Sequence, residues 1–215
     1  AKRQTMLFSA TFPPEIEQLA AHTLHNPKRI AIGLSRPAYT VAHALYPVAQ
    51  HLKTPLLLEL LKHTAAGSVL IFTRTKHRAE KLSKQIAHAG FRAASLHSDR
   101  SQGQRQSALS GFRSGHYQVL VATDIAARGL DVEGISHVIN FDMPATADDY
   151  IHRIGRTGRA ERTGDAFTLV TPDDRDMVRS LERIIGNSLP RQTLEGFNYT
   201  APAPIPPAGV HQLAR

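Results

Sequence analysis

The central part of the chain alternates between short apolar runs and longer segments in which apolar residues recur at helical spacing. The first apolar run is SVLIFT at 68–73, which predicts a strand buried on both faces. The segment after it, 76–90, predicts an amphipathic helix that ends at Gly90. One face of that helix would carry Ala79, Leu82, Ile86 and Ala89. Strand and helix units of this kind build parallel sheets.

The same alternation continues to about residue 186. Further strands are predicted in AASLH, QVLVAT, HVINF and DAFTLV. Further helices are predicted from about Gln104 to Phe112, as a turn after QVLVAT, and over ADDYIHRI. A last helix, PDDRDMVRSLERIIG, has Pro172 near its start and Gly186 at its end. The pattern predicts an α/β fold, a three-layer sandwich around a parallel sheet.

The two ends of the chain differ from this centre. Residues 1–34 contain FPPEIEQLAAHTL, a predicted helix that begins near its prolines, and KRIAIGL, a predicted short strand. Residues 35–47 have two prolines and no helical period, which indicates a linker with some extended structure. Residues 48–195 hold the repeating units, and residues 196–215 include APAPIPPAG, which predicts a proline-rich, extended or disordered tail.

The charge balance of the sequence also indicates a class of binding partner. Lysine and arginine outnumber aspartate and glutamate by 26 to 18, for a net charge of +8 and a pI near 10.1, which favours polyanions such as nucleic acid. The chain has no cysteine, which excludes disulfides and thiolate metal sites and is compatible with the cytoplasmic location we expect. No apolar run approaches the length of a membrane span, so we expect no membrane partner.

Polar side chains follow the predicted strands, at points that a parallel sheet brings to one edge. TRTK follows the first strand, HSDRSQGQR the second, TDIAARGLD the third, and GRTGR lies beyond the helix after the fourth. Ligands of open parallel sheets bind at this edge. HRIGRTGR also repeats arginine every third residue, and clustered guanidinium groups keep their charge and need an anionic partner. These loops predict a phosphate-binding surface.

Each candidate side chain also has a structural explanation when it is taken alone. Threonines after strands commonly cap the next helix, glutamines and arginines commonly lie on solvated helix faces, and a histidine beside apolar residues can belong to the core. These explanations apply to Thr75, Thr123, Gln102, Arg105 and His152, and Asp131 could be a surface acid paired with Arg128.

The order and spacing of the motifs nevertheless resemble the C-terminal half of the DEAD-box RNA helicases of superfamily 2. The matching motifs are SAT at 9–11, LIFTRTK, LHSDRSQGQR, VLVATDIAARGLD and HRIGRTGR, and they cover residues 5 to 185. The resemblance implies a second RecA-like helicase domain, preceded by a short remnant of the first. The local sequence is most similar to the bacterial RhlE-type branch.

The resemblance implies an ATP site in the cleft between two RecA-like domains. Arg156 and Arg159 match the arginines that reach the γ-phosphate, with Arg159 the better candidate for the arginine finger. Asp131 matches the acid that contacts the ribose hydroxyls. His152 matches the histidine that couples the two domains, and Arg153 would help to fix the same loop.

The resemblance also implies RNA bound across both domains, through contacts to its backbone and without base readout. Six residues match family positions that hold the RNA backbone or shape its groove: Thr75, Arg100, Gln102, Arg105, Thr123 and Gly129. Ser9 and Thr11 match the motif that links ATP hydrolysis to strand separation, and Ser98 stands where many members have glycine.

The chain contains no G-x-x-x-x-G-K-[ST] run and no Asp-Glu-Ala-Asp run before SAT. We therefore expect ATP and Mg²⁺ to be held mainly by a missing N-terminal domain, and the chain to be an inactive fragment of an ATP-dependent RNA helicase that unwinds short duplexes. Alternatives are a non-catalytic RNA-binding or annealing module, a KH domain with IGRTGR as its GXXG loop, and a double-stranded DNA translocase. Four strand and helix units before the loop disfavour the KH domain.

Overall fold

The computed structural model describes residues 3–9, 12, 14–30, 41–64, 67–127, 132, 134–158 and 164–203. The chain divides into two compact units, residues 1–36 and 37–215. In the first unit the one described helix, α1 (Pro14–Thr23), begins at a proline as expected, with Glu15 and Glu17 in its first turn. The Arg29 guanidinium lies 3.4 Å from the Glu17 carboxylate and 4.2 Å from the centre of the Phe12 ring.

The second unit is a six-stranded sheet with helices on both faces. Its strands are β1 (Val41–Pro47), β2 (Ser68–Phe72), β3 (Ala93–Leu96), β4 (Val119–Ala122), β5 (Ile135–Asn140) and β6 (Gly164–Val170). Its helices are α2 (Lys53–His63), α3 (Lys76–His88), α4 (Gln102–Arg113), α5 (Asp124–Ala127), α6 (Ala147–Ile154) and α7 (Arg175–Ile185). The strand order is β1-β6-β5-β2-β4-β3, and every pair is parallel. The predicted α/β fold is confirmed.

Alternate side chains of the central strands enter different layers. Val69 and Ile71 of β2 pack with α2 and α3 on one face, whereas Leu70 and Phe72 pack with α4 and α5 on the other. A third cluster joins β1 and β6 to α6 and α7 around the fully buried Tyr150. Burial on both faces explains why the strands are continuous apolar runs.

The structure differs from the predicted linker at 35–47, because Val41–Pro47 forms strand β1. All seven of its residues pair with β6, from Val41 opposite Gly164 to Pro47 opposite Val170. The flanking proline suggested a break in structure, but proline is tolerated at the end of an edge strand. Residues 35–40 lie outside the described part of the chain.

The predicted tail also begins later than residue 196. Residues 189–192 run beside β1, where the Leu45 amide donates to the Pro190 carbonyl and the Gln192 amide donates to the Leu45 carbonyl, both at 2.8 Å. Phe197, Tyr199 and Ala201 then pack against the α2 side of the core. These contacts keep the chain on the domain as far as Ala201, and residues 204–215 lie outside the described part.

The structure covers only part of the short strand predicted in KRIAIGL. Residues 28–30 form no strand, and residues 31–34 lie outside the described ranges. Helix α2 has no counterpart among the predicted elements, although it supplies Leu56, Leu57, Leu60 and Leu61 to the core.

Among the described residues no helix combines the length and apolar character needed to cross a bilayer.

Candidate functional site

The candidate site lies where β4, β2 and β5 end side by side at the centre of the sheet. The residues after these strands are Thr123, Thr73 and Phe141. Helix α6 brings His152 and Arg153 to the same edge. Its start is fixed by Thr146, whose hydroxyl oxygen accepts a hydrogen bond from the Asp149 amide at 3.1 Å.

Arg153 is the buried centre of this edge, with only 3% of its surface exposed. Its guanidinium forms a two-pronged ion pair with Asp124, with Nε donating to Oδ1 at 2.6 Å and Nη2 to Oδ2 at 2.8 Å. Its Nη1 donates to the Asn140 side chain at 3.1 Å and to the Asp142 carbonyl at 2.8 Å. Arg153 therefore ties α6 to α5 and to the end of β5.

Arg153, His152 and Arg156 meet at a shallow depression of about 20 Å³. It is lined by Phe72, Asp124, Ala127, Asp149, His152, Arg153 and Arg156. His152 and Arg156 are half-buried, and the Arg156 amide donates to the Arg153 carbonyl at 3.1 Å. A depression this small and open fits one side of a phosphate group and cannot enclose a nucleotide. Arg159, Asp131 and Gly129 lie outside the described residues.

The loop that carries Arg156 is anchored by a threonine for which sequence analysis assigned no role. Thr157 is 2% exposed, and its hydroxyl donates to the carbonyls of Ile135 and Ser136. A Cβ on Gly164 would lie 2.0 Å from the Thr157 hydroxyl oxygen and 2.6 Å from the Gly158 nitrogen. Close packing of glycine against this threonine fixes the loop, and no local signal in GRTGR indicates it.

The threonines predicted to hold RNA also organise helix starts. The Thr75 hydroxyl oxygen accepts from the Arg78 amide at 3.2 Å and caps α3, and Thr75 remains exposed. The half-buried Thr123 uses its carbonyl to accept from the amides of Ala126 and Ala127 at the start of α5. Side-chain capping is therefore shown for Thr75, which stays at the surface, whereas the bonds from Thr123 to α5 come from its backbone carbonyl.

Arg100 belongs to a polar cluster around Glu80. The Glu80 carboxylate accepts hydrogen bonds from Ser95 and Arg100, both at 2.7 Å, and lies 3.3 Å from the His97 ring. The hydrogen bond from Ser95, those from His97 and Lys84, and the charge of Arg100 lower the pKa of Glu80 to about 2. The arrangement holds Arg100 in place with 32% of its side chain exposed.

The other predicted RNA contacts lie at the start of α4. Gln102 is the exposed first residue of this helix, whose cap is the preceding Ser101. Arg105, one turn on, is half-buried, and its Nε has no hydrogen-bond partner among the described residues. In the first unit Ser9 is exposed, and Thr11 lies outside the described residues.

A second charged cluster near this edge was missed by sequence analysis. Asp142, after β5, accepts from the Arg74 amide at 2.9 Å and pairs with the Arg78 guanidinium. Lys53, at the start of α2, is 3% exposed and donates to the Phe141 carbonyl at 3.1 Å. Burial lowers the pKa of Lys53. The only signal in the sequence is that Asp142 follows a predicted strand.

Within the described ranges, no group of three or more histidine, aspartate or glutamate side chains is arranged to hold a metal ion. The Arg156 guanidinium on the rim of the depression suits phosphate oxygens, which are anionic acceptors. The described residues therefore fit part of a nucleotide site.

The chain matches the helicase conserved C-terminal domain family over residues 52–161. The DEAD-box ATP-dependent RNA helicase CshA of Bacillus licheniformis is 39% identical over 192 residues, which are 89% of this chain and 39% of that protein. This chain thus spans well under half the length of that relative.

Solved structures agree with this match. Escherichia coli DEAD-box protein SrmB, bound to regulator of ribonuclease activity A, has a TM-score of 0.71 at 36% identity, covering 77% of this chain and 98% of that chain. S. cerevisiae Dbp5 bound to RNA and ADP BeF3 has a TM-score of 0.79 at 29% identity, covering 86% of this chain and 50% of that chain. The sheet order, the loops at its carboxyl edge and these matches place the chain in the helicase conserved C-terminal domain family, among the DEAD-box proteins.

Proposed function

We propose that this chain is the C-terminal part of an ATP-dependent DEAD-box RNA helicase and forms one wall of its nucleotide cleft and RNA path. The observation that carries the proposal is the meeting of His152, Arg153 and Arg156 at one depression beside the ends of β2 and β4. The family match and the similarity to CshA, an ATP-dependent RNA helicase, support it.

In this proposal the arginines act on the phosphates of ATP. Arg156 contacts the γ-phosphate from the half-buried rim, and Arg159 acts as the arginine finger that stabilises charge developing during phosphoryl transfer. Asp131 contacts the ribose hydroxyls. The N-terminal RecA-like domain would hold Mg²⁺ and most of the triphosphate.

Arg153 serves this chemistry by positioning. Because it binds Asp124, Asn140 and the Asp142 carbonyl, it fixes the end of α6, and Arg156 follows within one turn. His152 couples the two domains from the same helix, and Ser9 and Thr11 link hydrolysis to strand separation. Preorganised positive charge of this kind costs no rearrangement when the reaction occurs.

RNA is held in this proposal by backbone contacts, which makes binding tolerant of sequence. The contacts come from the starts of α3, α4 and α5, through Thr75, Arg100, Gln102, Arg105 and Thr123, and from Gly129, which follows α5 in the sequence. The exposure of Thr75 and Gln102 and the partial exposure of Arg100 support this assignment. The RNA in the Dbp5 structure supports RNA as the class of ligand.

The proposal is tested by supplying the N-terminal RecA-like domain of the CshA relative in trans and measuring RNA-stimulated ATP hydrolysis. We expect Arg159→Ala to lower the restored rate by about 10³-fold and Arg156→Ala to lower it strongly. The matched control is Arg179→Ala, because Arg179 is 74% exposed on α7 and pairs only with Asp176 among the described residues. Restored hydrolysis that is indifferent to Arg156 and Arg159 would refute the assignment.

We also propose membership of the RhlE-type branch and a cytoplasmic location. The branch rests on local sequence similarity, and the location rests on the absence of cysteine. A phylogenetic comparison of this chain with the C-terminal domains of RhlE-type and other DEAD-box proteins tests the branch, and the chain should group with the RhlE-type sequences. Fractionation of cells that express the tagged protein tests the location.

A further inference from the structure

A groove of about 170 Å³ lies between the beginnings of α2 and α3, apart from the depression at Arg153. It is lined by Gln50, Thr54, Arg78, Lys81, Leu82, Gln85 and Phe141. The α3 residues are spaced three, four and seven positions apart, so they share one face of the helix. None of the lining side chains is acidic.

Most polar side chains of this groove are available to hydrogen-bond a ligand. Across the described residues, the side chains of Gln50, Thr54, Lys81 and Gln85 make no hydrogen bond or ion pair with other parts of the protein. Lys81 is exposed and carries three donors, and Thr54 is half-buried. The two apolar lining residues, Leu82 and Phe141, are buried. The groove therefore presents polar donors beside buried apolar side chains.

The surroundings of the groove are electropositive. Arg78 forms one wall and pairs with Asp142, while Lys53 lies buried behind Phe141, with Nζ 5.9 Å from the ring centre. Around Lys53 three cations, Lys53, Arg74 and Arg78, face two acids, Asp142 and Asp174, and the exposed Lys81 adds a further cation to the lining. Such a site attracts anions.

The groove continues from the proposed RNA path. Thr75, a proposed RNA contact, caps α3 through the Arg78 amide, and Arg78 itself lines the groove. Lys81 lies one turn beyond Arg78, about 4.5 Å further along the helix axis at 1.5 Å per residue, and none of the lining residues is acidic.

We propose that the α2–α3 groove binds the phosphate backbone of an RNA strand beyond the path at the strand ends, with Lys81 as its main charge contact and Thr54, Gln50 and Gln85 as donors. The choice of RNA as the polyanion rests on the proposed function. The chemistry is sequence-independent, because the groove offers donors and cations to phosphate oxygens.

The first test is binding of a fluorescein-labelled 12-nucleotide uridine oligomer to the 215-residue chain, followed by anisotropy over a range of salt concentrations. The slope of log K against log salt is negative, and loss of one phosphate contact makes it shallower by about 0.7. This change corresponds to about fivefold weaker binding at 0.1 M salt. We expect this change for Lys81→Ala.

The matched control is Lys62→Ala, in the last turn of α2. It removes the same charge, but Lys62 is paired with Glu59 at 2.7 Å and does not line the groove. We expect it to change affinity by less than twofold. Equal losses in the two variants would indicate a general charge effect and overturn the proposal, as would an unchanged salt slope in Lys81→Ala.

The second test locates the ligand and its class by amide NMR. On titration with the oligomer, we expect the signals of Thr54, Lys81 and Gln85 to shift together with that of Thr75. RNA binding that shifts Thr75 and Thr123 alone overturns the groove and leaves the proposed function standing. No RNA binding at all overturns both. Lys81-dependent binding of polyglutamate that is tighter than binding of RNA would assign the groove to an acidic peptide instead.

Discussion

The three regularly spaced arginines of HRIGRTGR do not share one role. Arg153 already has its anion, because Asp124 neutralises it within the chain and two further oxygens accept its remaining bonds. Arg156 lies half-buried on the rim of the depression. The prediction that the cluster needs an anionic partner is thus met internally for Arg153, and a γ-phosphate partner is proposed for Arg156 and Arg159.

Arg153→Ala should lower the free energy of unfolding by about 3 kcal/mol, since removal of one member of a buried ion pair leaves the other uncompensated. Urea denaturation measures the loss. The control Arg179→Ala, on an exposed position of α7, should stay within about 0.5 kcal/mol of the unchanged protein. Equal stability of the two variants would show that the Asp124 pair contributes nothing.

Glu80 should make the stability of the domain depend on pH. Its pKa in the folded protein, about 2, is below its ordinary value of 4.5, so its contribution is present above about pH 5 and is lost as pH falls toward 2. Glu80→Gln should therefore reduce the difference between the free energies of unfolding at pH 7 and pH 3. Glu59→Gln, which removes only an exposed pair with Lys62, is the control and should retain that difference.

At the scale of elements, β1 shows how a distant partner creates structure. Val41–Pro47 gains a strand partner more than 120 residues later in β6, and residues 189–192 then run along its other edge. Tyr46 adds a hydrogen bond from its hydroxyl to the Gln192 side chain at 2.9 Å. Strand β1 therefore connects the beginning of the domain to β6 and to residues 189–192 near its end.

Leu45→Ala tests whether β1 belongs to the domain. Leu45 is 1% exposed in the cluster of β1, β6, α6 and α7, so its truncation should lower the free energy of unfolding by about 2–5 kcal/mol. Ala42→Ser, at an exposed position of the same strand, should change it by about 0.5 kcal/mol or less. A small effect of Leu45→Ala in urea denaturation would indicate that Val41–Pro47 behaves as a linker and is not part of the folded domain.

The elements that sequence analysis predicts are those whose signals are local. The face of α3 depends only on helical spacing, and Ala79, Leu82 and Ile86 are buried as expected. Ala89, predicted on the same face, is instead the exposed residue that caps the end of α3. The pairing of Arg153 with Asp124 joins residues 29 positions apart, and the packing of Gly164 on Thr157 depends on where β6 begins. Such contacts arise from the assembled sheet and have no local pattern.

At the scale of the whole molecule, the chain places cationic and polar side chains on one edge of a sheet. The depression there is too small to enclose a nucleotide. No G-x-x-x-x-G-K-[ST] run occurs in the 215 residues to cradle a triphosphate. In our account, this chain supplies one half of an ATP site and a second RecA-like domain completes it.

The most direct test of this account is RNA-stimulated ATP hydrolysis by the 215-residue chain, alone and with the N-terminal RecA-like domain of the CshA relative added in trans. We predict no turnover by the chain alone and measurable turnover for the mixture that Arg159→Ala abolishes. RNA-stimulated turnover by the purified chain alone, lost in Arg159→Ala, would contradict the account.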